Sequence, residues 1–342
     1  MSYGMIKKMN KQYSVVIIGG GTIGATGELK KQGNKPTTHA GAFLKNRRAR
    51  IIGLVEPNKT LHEKIKKITK APIVIDTNKL LKEKNPDIVI VATPDETHKN
   101  IVLLAAQYNP KLILCEKPIA TNMRDAKQII AVCKRKKIKL LINHKRRFDP
   151  VLIEVQKEIR KKTFGTIKQA RCLYGNGIRN NGTHAIDQLR WYMGEVTAVR
   201  AIKNDYGEAS HKGDYNVDAM IEFQSGARAM LQSINTRDYY LFEHEYFGTN
   251  GAIRLRNLGQ TVHSIPRKIK GVFVNAPELN YQKAKKIGNE KRSFMKAMAN
   301  HVIEVLDGEE KPRCTGEDAL KTLLVIEALQ RSAEQEGRKI FI

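Results

Sequence analysis

Glycines at a fixed spacing follow the first apolar run of the sequence. Val15–Ile18, which is rich in β-branched residues, leads directly into a GxGxxG motif. Between a strand and a helix, such glycines let the backbone approach the pyrophosphate of a dinucleotide at the helix N-terminus. An ordinary glycine turn is the alternative, but a series of strands and helices follows, which favours the cofactor. The predicted cofactor-binding residues are Gly19, Gly21, Thr22, Ile23 and Gly24.

An acidic residue ends the second apolar run, Ile51–Val55. Glu56 can accept hydrogen bonds from ribose hydroxyls and would repel a 2′-phosphate, so we expect NAD rather than NADP as the cofactor. Glu56 lies 32 residues after Gly24 instead of about 20. We attribute the excess to a polar insertion at roughly residues 27–37. An ordinary carboxylate at a strand end is the alternative.

A lysine follows a later strand directly, in the triplet Glu116-Lys117-Pro118. Ligands of open parallel sheets bind beyond the carboxyl ends of the strands, so Lys117 is expected to point toward the cofactor. Pro118 fixes the turn and keeps Lys117 extended. The alternative is an exposed lysine at a strand exit.

The elements that must position these residues change character along the chain. Up to residue 149, single helices separate short apolar strands, which predicts a doubly wound parallel sheet of the Rossmann type. From residue 150, consecutive strands between glycine turns predict an α+β domain with a mostly antiparallel open sheet. The expected domains are therefore residues 1–149 and 150–342. Helices are predicted over 289–307 and 316–335, and the C-terminal helix could pack on either domain.

Composition narrows the class of protein. The 342 residues contain no apolar run long enough for a membrane span, and the four cysteines are far apart, which argues against a disulfide scaffold. We therefore expect a soluble cytoplasmic protein. Lys and Arg total 61 against 34 acidic residues, a net charge of +27. Because these cations are spread along the chain, we predict neither a specific nucleic-acid partner nor a membrane partner. The whole chain is basic and Lys145, Arg146, Arg147 and Arg179 are expected near the cleft, so we predict an acidic substrate.

Several motifs in a fixed order resemble the glucose–fructose oxidoreductase/inositol dehydrogenase (Gfo/Idh/MocA) family over nearly the whole chain. They are the glycine motif, Thr93-Pro94 with His98, the Glu116 triplet, Arg146–Pro150 and Gly182–Asp187. The resemblance implies an NAD(P)-dependent oxidoreductase that acts on CH–OH groups of a sugar, polyol, sugar acid or nucleotide sugar. It also implies a homo-oligomer, a dimer or tetramer, because the open sheet often serves oligomerisation in this family.

The same resemblance assigns roles to individual residues. It makes Lys117 the substrate-contacting lysine and His184 the acid/base, which suits carbinol oxidation: the histidine takes the hydroxyl proton while the lysine stabilises the developing alkoxide. No metal is expected. The further cofactor contacts are Thr93, Pro94, His98, Glu116 and Lys117, and the substrate contacts are Lys117, Arg147, Arg179, Asn180 and His184.

One position departs from the family pattern. Four residues before His184 the family usually carries Asp, and this chain has Asn180, which keeps a hydrogen-bonding amide but no charge. Asn180 is retained as a candidate catalytic residue, although a helix N-cap explains it equally well. The alternative function is therefore a cofactor-binding sensor or regulator that has kept the fold without turnover.

Overall fold

A computed structural model describes residues 11–30, 34–205, 207, 209, 213–269, 276–288 and 293–342. Parts of two predicted segments, residues 31–33 of the insertion and 289–292 of a helix, lie outside the described residues. In the described part no helix has the length and apolar composition needed to cross a membrane.

Up to residue 149, the described chain alternates between strands and helices. The strands are β1 Tyr13–Ile18, β2 Ala49–Val55, β3 Ile73–Val74, β4 Ile88–Val91, β5 Leu112–Glu116 and β6 Lys139–Asn143. The α-helices are α1 His39–Leu44, α2 His62–Lys66, α3 Thr77–Lys84, α4 His98–Gln107 and α5 Met123–Arg135.

These six strands form one parallel sheet in the order β3-β2-β1-β4-β5-β6. Val15–Ile18, Val89–Val91 and Leu112–Cys115 are almost fully buried, as expected for central strands that helices cover on both faces. The order reverses at β1 and β4, which places the carboxyl ends of these strands at the topological switch point where ligands bind. The predicted Rossmann sheet is confirmed.

The second half is built on a mixed sheet. Its described helices are α6 Pro150–Arg160, α7 Thr183–Met193, α8 Phe294–Asp307 and α9 Gly316–Glu334. Its described strands are β7 Ile167–Tyr174, β8 Val196–Asn204, β9 Asn216–Phe223, β10 Arg228–Ser233, β11 Glu243–Gly248, β12 Gly251–Arg256, β13 Thr261–Lys268, β14 Glu278–Leu279, β15 Lys285–Lys286 and β16 Ile340–Phe341.

In this sheet β14-β13-β12-β11-β7-β10-β9-β8-β16 follow one another, and β15 pairs with β13. The described pairs are antiparallel except β7 with β10, so the prediction of a mostly antiparallel sheet is confirmed. Apolar residues of α6, α7 and the second half of α9 pack on one face of the sheet. Along β10 the side chains alternate strictly, with Ala229 and Leu231 in the core and Met230 53% exposed on the other face.

The chain divides into two compact units with a boundary between Asp149 and Pro150. The first unit also takes Ser293–Leu320, which contains α8, and the second takes Lys321–Ile342. A further boundary, between Leu320 and Lys321, therefore falls inside α9. Within the first unit, Arg48 and Tyr13 both bond Asp307 at the end of α8, with the Tyr13 hydroxyl 2.8 Å from its carboxylate.

The first helix differs from the prediction. The motif predicts a helix directly after Gly24, but a 3₁₀ turn, Thr26–Lys30, stands there and α1 begins at His39. The His39 N–H donates to the Ile23 carbonyl at 3.0 Å, and the Ala40 N–H to the Gly24 carbonyl at 2.9 Å. If the twelve residues 27–38 are left out of the count, both bonds have the i to i−4 spacing of an α-helix, whereas the Thr26 and Gly27 N–H groups bond Gly21 and Thr22 with i to i−5 spacing. The same twelve residues account for the long spacing to Glu56.

Candidate active site

The glycine loop follows β1 in the geometry that a pyrophosphate requires. Gly19 has φ +98°, and a Cβ there would lie 2.3 Å from the Ala92 carbonyl oxygen, so only glycine fits. A Cβ at Gly21 would meet no protein atom within 4 Å, which leaves open space for a ligand to approach the backbone. Thr22 and Ile23 are exposed beside it. The loop therefore fits a dinucleotide.

Glu56 lies at the end of β2 with its carboxylate against this loop. The side chain is 8% exposed, and Oε2 accepts the Gly20 N–H at 2.8 Å while Oε1 accepts the Asn58 N–H at 2.9 Å. The carboxylate thus braces the glycine loop, a role that the sequence did not indicate. Carboxylate oxygens accept more than one bond each, so Glu56 can still accept ribose hydroxyls.

His98 joins the exits of two neighbouring strands. Its buried ring lies between the Thr93 carbonyl, 3.0 Å from Nε2, and the Pro118 carbonyl, 2.7 Å from Nδ1. Both ring nitrogens face backbone oxygens, so the histidine holds the loops after β4 and β5 together. Thr93 and Pro94 lie at the exit of β4, where the Thr97 hydroxyl is 2.7 Å from an oxygen of each.

Glu116, the last residue of β5, accepts two side-chain hydrogen bonds. His39 Nε2 lies 2.8 Å and Asn143 Nδ2 2.6 Å from Glu116 Oε1. Burial alone would raise the pKa of Glu116, but these two bonds and the charges of His39 and Lys117 lower the pKa to about 2. Glu116 is therefore an ionised carboxylate whose side chain is only 12% exposed. Neither His39 nor Asn143 was identified from the sequence, because partners 77 and 27 residues away carry no local signal.

Lys117 follows Glu116 at the carboxyl edge of the sheet. It is half-buried, its N–H lies 3.3 Å from Glu116 Oε2, and the Lys117-Pro118 peptide is cis. A second lysine, Lys145, stands after β6. Burial and the neighbouring cations Arg146 and Lys117 lower the pKa of Lys145 to about 8, against the opposing effect of Glu116. Lys117, Lys145 and Arg146 thus form a group of cations at this edge, and Glu116 interacts with the two lysines.

Arg147 has partners inside the first unit. The guanidinium is buried, Nη1 donates to the Arg313 carbonyl at 3.0 Å, and Nη1 lies 3.3 Å from a carboxylate oxygen of Asp318. These contacts connect the turn after β6 to Arg313 ahead of α9 and to the first turn of α9. Substrate contact by Arg147 stays a prediction, and these contacts give the residue a structural role.

In the second unit His184 is the second residue of α7. The turn of π-helix Gly177–Gly182 leads into this helix, an irregularity that is frequent at functional sites. His184 is buried, as is Asp187 one turn later, which accepts a bond from Thr322 at 3.3 Å. Trp191 packs against the core of the second unit. Because α7 packs on the core of the second unit, the backbone that carries His184 is held in place.

Arg179 and Asn180 lie in the π-helical turn, and one carboxylate fixes both backbones. The Asp214 carboxylate accepts the Arg179 and Asn180 N–H groups, each at 3.1 Å, and a Cβ at Gly177 would collide with it at 1.9 Å. The Arg179 guanidinium donates to Gln330 at 3.0 Å. Asp214 was missed in the sequence because it stands in the polar loop ahead of β9, with no motif around it.

The predicted site residues therefore fall into two groups. The first unit brings together the glycine loop, Glu56 and the ends of β4 and β5. The second unit brings Arg179 and Asn180 next to His184 in one turn and the helix that follows it.

Comparison with known protein families gives two matches. Residues 13–144 match the model described as "Oxidoreductase family, NAD-binding Rossmann fold", and residues 177–340 match "Oxidoreductase family, C-terminal alpha/beta domain". Together they span most of the chain.

Individual relatives agree with these matches. The chain is 27% identical to an inositol 2-dehydrogenase of Rhizobium meliloti, over 75% of this chain and 81% of that protein. It is 25% identical to a D-apiose dehydrogenase of Paraburkholderia graminis, over 78% and 75%. The fold resembles the crystal structure of the WlbA dehydrogenase from Bordetella pertussis in complex with NADH and UDP-GlcNAcA, with TM-score 0.75, 18% identity and coverage of 97% and 99%.

The glycine loop, the two-unit architecture and both family matches lead to one assignment. The chain belongs to the Gfo/Idh/MocA family of oxidoreductases and carries that family's NAD-binding Rossmann domain.

Proposed function

We propose that the protein is an NAD-dependent dehydrogenase or reductase of a sugar, polyol, sugar acid or nucleotide sugar. The observation that carries the proposal is the placement of Lys117 at the end of β5, in the same sheet edge as the open backbone at Gly21. Relatives named inositol 2-dehydrogenase and D-apiose dehydrogenase support a substrate with CH–OH groups.

The proposed roles follow from the chemistry of the side chains. The glycine loop and Glu56 hold the cofactor, which accepts or supplies the hydride when bound. Lys117 binds the reacting oxygen and stabilises negative charge on it, and His184 removes the hydroxyl proton in oxidation or returns it in reduction. Asn180, in the turn ahead of His184, contributes a neutral hydrogen-bonding group.

The substrate is proposed to be an acid. Lys145 and Arg146 lie beside Lys117 at the sheet edge, where the Glu116 carboxylate acts on Lys145. Cations in a partly desolvated site attract a carboxylate or phosphate more strongly than cations in open water. The WlbA complex, which contains UDP-GlcNAcA, is consistent with a nucleotide-sugar acid.

A sensor without turnover is the second candidate, and Asn180 is the observation that favours it. The neutral amide stands where the family usually has a carboxylate. This function requires the cofactor site to be intact while substrates are bound and released unchanged.

We further propose a homo-oligomer that uses the open face of the second sheet. Met230 and Met220 are cross-strand partners there, and ion pairs such as Arg171–Glu245 surround them. A face that mixes exposed apolar side chains and charges is typical of protein interfaces. A cytoplasmic location is proposed because all four cysteines are buried free thiols.

A screen of cofactor reduction tests the proposed function. Wild-type protein with NAD is incubated with inositols, aldoses, uronic and aldonic acids and nucleotide sugars, and NADH formation is followed by absorbance. We expect turnover with at least one acidic sugar. Tight NAD binding with no turnover in either direction across the panel would favour the sensor.

A further inference from the structure

We propose that His39 is a positioning residue for Lys117 and acts through Glu116. The inference rests on the proposed function, since Lys117 is the residue that it serves. His39 lies in none of the motifs that indicate the family or the cofactor site. Its contact with Glu116 is what connects it to the candidate active site.

The hydrogen bond from His39 fixes the orientation of the Glu116 carboxylate. The ionised Glu116 carboxylate only accepts hydrogen bonds, so the proton of the 2.8 Å bond resides on His39 Nε2. His39 is fully buried, and its Nδ1 has no hydrogen-bond partner among the described residues. The N–H on Nε2 is therefore the hydrogen-bonding contact that the His39 ring makes with the described residues. His39 thus directs one N–H at Glu116 and leaves the negative charge of the carboxylate intact.

A carboxylate held in this way controls the neighbouring ammonium. With Oε1 of Glu116 occupied by His39 and Asn143, the carboxylate is kept on the side of β6 and α1. Its charge still favours the cationic form of Lys117, which is the form that can stabilise an alkoxide. Without the His39 donor, the carboxylate would turn to Lys117 for a replacement and draw the ammonium away from the substrate.

Each of the two residues that flank Lys117 is bonded by a buried histidine. His39 bonds the Glu116 side chain, and His98 Nδ1 lies 2.7 Å from the Pro118 carbonyl. His39 is also the first residue of α1, and its N–H bonds Ile23 in the glycine loop. His39 therefore connects the backbone that would bind the cofactor to the lysine that would bind the substrate.

The test compares two substitutions at one position. In His39→Phe the ring volume remains and the N–H donor is lost, whereas in His39→Gln an amide N–H can reach Glu116. We expect His39→Phe to lower kcat by about 10- to 100-fold, as small misplacements of a reacting group do. NAD affinity by calorimetry should stay within about threefold. His39→Gln should recover most of the loss.

The matched control is His244→Phe. His244 is a buried histidine of β11 whose Nε2 lies 3.3 Å from Cys172 Sγ, and it belongs to no candidate site. This variant reports what the loss of a buried histidine costs in stability alone, and its kcat should stay near the wild-type value. Equal losses of kcat in His39→Phe and His244→Phe, or no rescue by Gln, would overturn the proposal.

A second readout does not depend on turnover. The pH profile of Lys117 acetylation by acetic anhydride, followed by mass spectrometry, reports the pKa of that ammonium. Among the described residues, the charged and titratable groups that interact with Glu116 include His39, Lys117, Lys145 and the thiol of Cys115. Because the carboxylate loses a donor in His39→Phe, the Lys117 profile should move to higher pH, and it should return in His39→Gln. An unmoved profile would contradict the proposal even if the wild type turned over no substrate, which separates its failure from that of the proposed function.

Discussion

Lys117 is the residue on which the proposed chemistry depends most directly. It follows the last residue of a buried strand, so the backbone that carries it is held by the parallel sheet on both sides. The neighbouring carboxylate is ionised because hydrogen bonds outweigh the cost of burying it. Because this backbone is already ordered, a lysine there can contact a substrate oxygen without the entropy loss of ordering a loop.

Replacing this lysine should separate catalysis from cofactor binding. In Lys117→Met the length of the side chain is kept and the charge is lost, so kcat should fall by at least about 10²-fold. NAD affinity should remain within about threefold, because the glycine loop and Glu56 are untouched. Steady-state kinetics and calorimetry check both values. A near-normal kcat would contradict the catalytic role of Lys117 and favour the alternative of an exposed lysine at a strand exit.

Glu56 gives the second prediction at this scale. The carboxylate is placed to accept ribose hydroxyls, so NAD should bind at least about tenfold more tightly than NADP, or about 1.4 kcal/mol. In Glu56→Gln this preference should shrink, and NAD itself should bind more weakly because the Gly20 and Asn58 N–H groups lose an anionic acceptor. Equal dissociation constants of the two cofactors for the wild type would contradict the assignment. Lys59, close after Glu56 in sequence, is the cation that could cause such a result.

At the scale of elements, the sequence predicted the strands better than the first helix. Continuous apolar runs between turn residues, such as Ile88–Val91, indicated buried strands, and the structure has a strand there. We call the junction at which His39 bonds Ile23 across the insertion the splice. It could not be predicted from the sequence, since a hydrogen bond across an insertion leaves no periodicity in the pattern of residues. The partners of Glu116 and Asp214 were missed for the same reason: contacts between distant segments depend on the fold and not on local spacing.

The splice predicts that the insertion can be removed. Deletion of residues 27–38 would make His39 follow Thr26, and its N–H would then bond the Ile23 carbonyl as in an ordinary helix. Glu28 would be removed together with Thr37 and Thr38, which donate to its carboxylate, so no buried carboxylate would lose its bonds. Thermal unfolding and NAD affinity should therefore stay close to wild type, within about threefold for the dissociation constant.

A shorter deletion is the control for this experiment. Removing residues 29–38 joins the same segments but rotates α1 by about 200° relative to the glycine loop, because each residue of a helix turns it by about 100°. This variant should bind NAD poorly and unfold at lower temperature. If both deletions behave alike, the helix is not continuous across the splice.

For the whole molecule, stability against acid should depend on a histidine outside the candidate site. His301 in α8 is fully buried and its Nε2 accepts the Arg313 N–H at 3.2 Å. Burial, with a contribution from the Arg313 charge, lowers the pKa of His301 from 6.5 to about 4. The neutral ring is therefore favoured in the folded state, so its stabilisation is present above pH 6.5 and is lost as the pH falls toward 4.

Substitution should flatten this part of the stability profile. Between pH 7 and pH 4.5 the wild type should lose on the order of 2–3 kcal/mol through His301, whereas His301→Gln, which can still accept the Arg313 N–H, should not. Urea unfolding of the first unit at the two pH values checks the difference. Glu116 does not interfere, because its contribution is lost only as the pH falls from about 4.5 toward 2. The same slope in both proteins would show that other groups cause it.

The central claim is that hydride passes between a substrate carbon and nicotinamide on this protein. The most direct measurement uses a sugar acid or polyol deuterated at the carbinol carbon, incubated with NAD and the wild-type protein, followed by NMR of the recovered cofactor. We expect deuterium on the nicotinamide ring in the wild type and at least about 10²-fold slower transfer in Lys117→Met. A protein that binds NAD tightly yet transfers no deuterium from any substrate that it binds would contradict the claim.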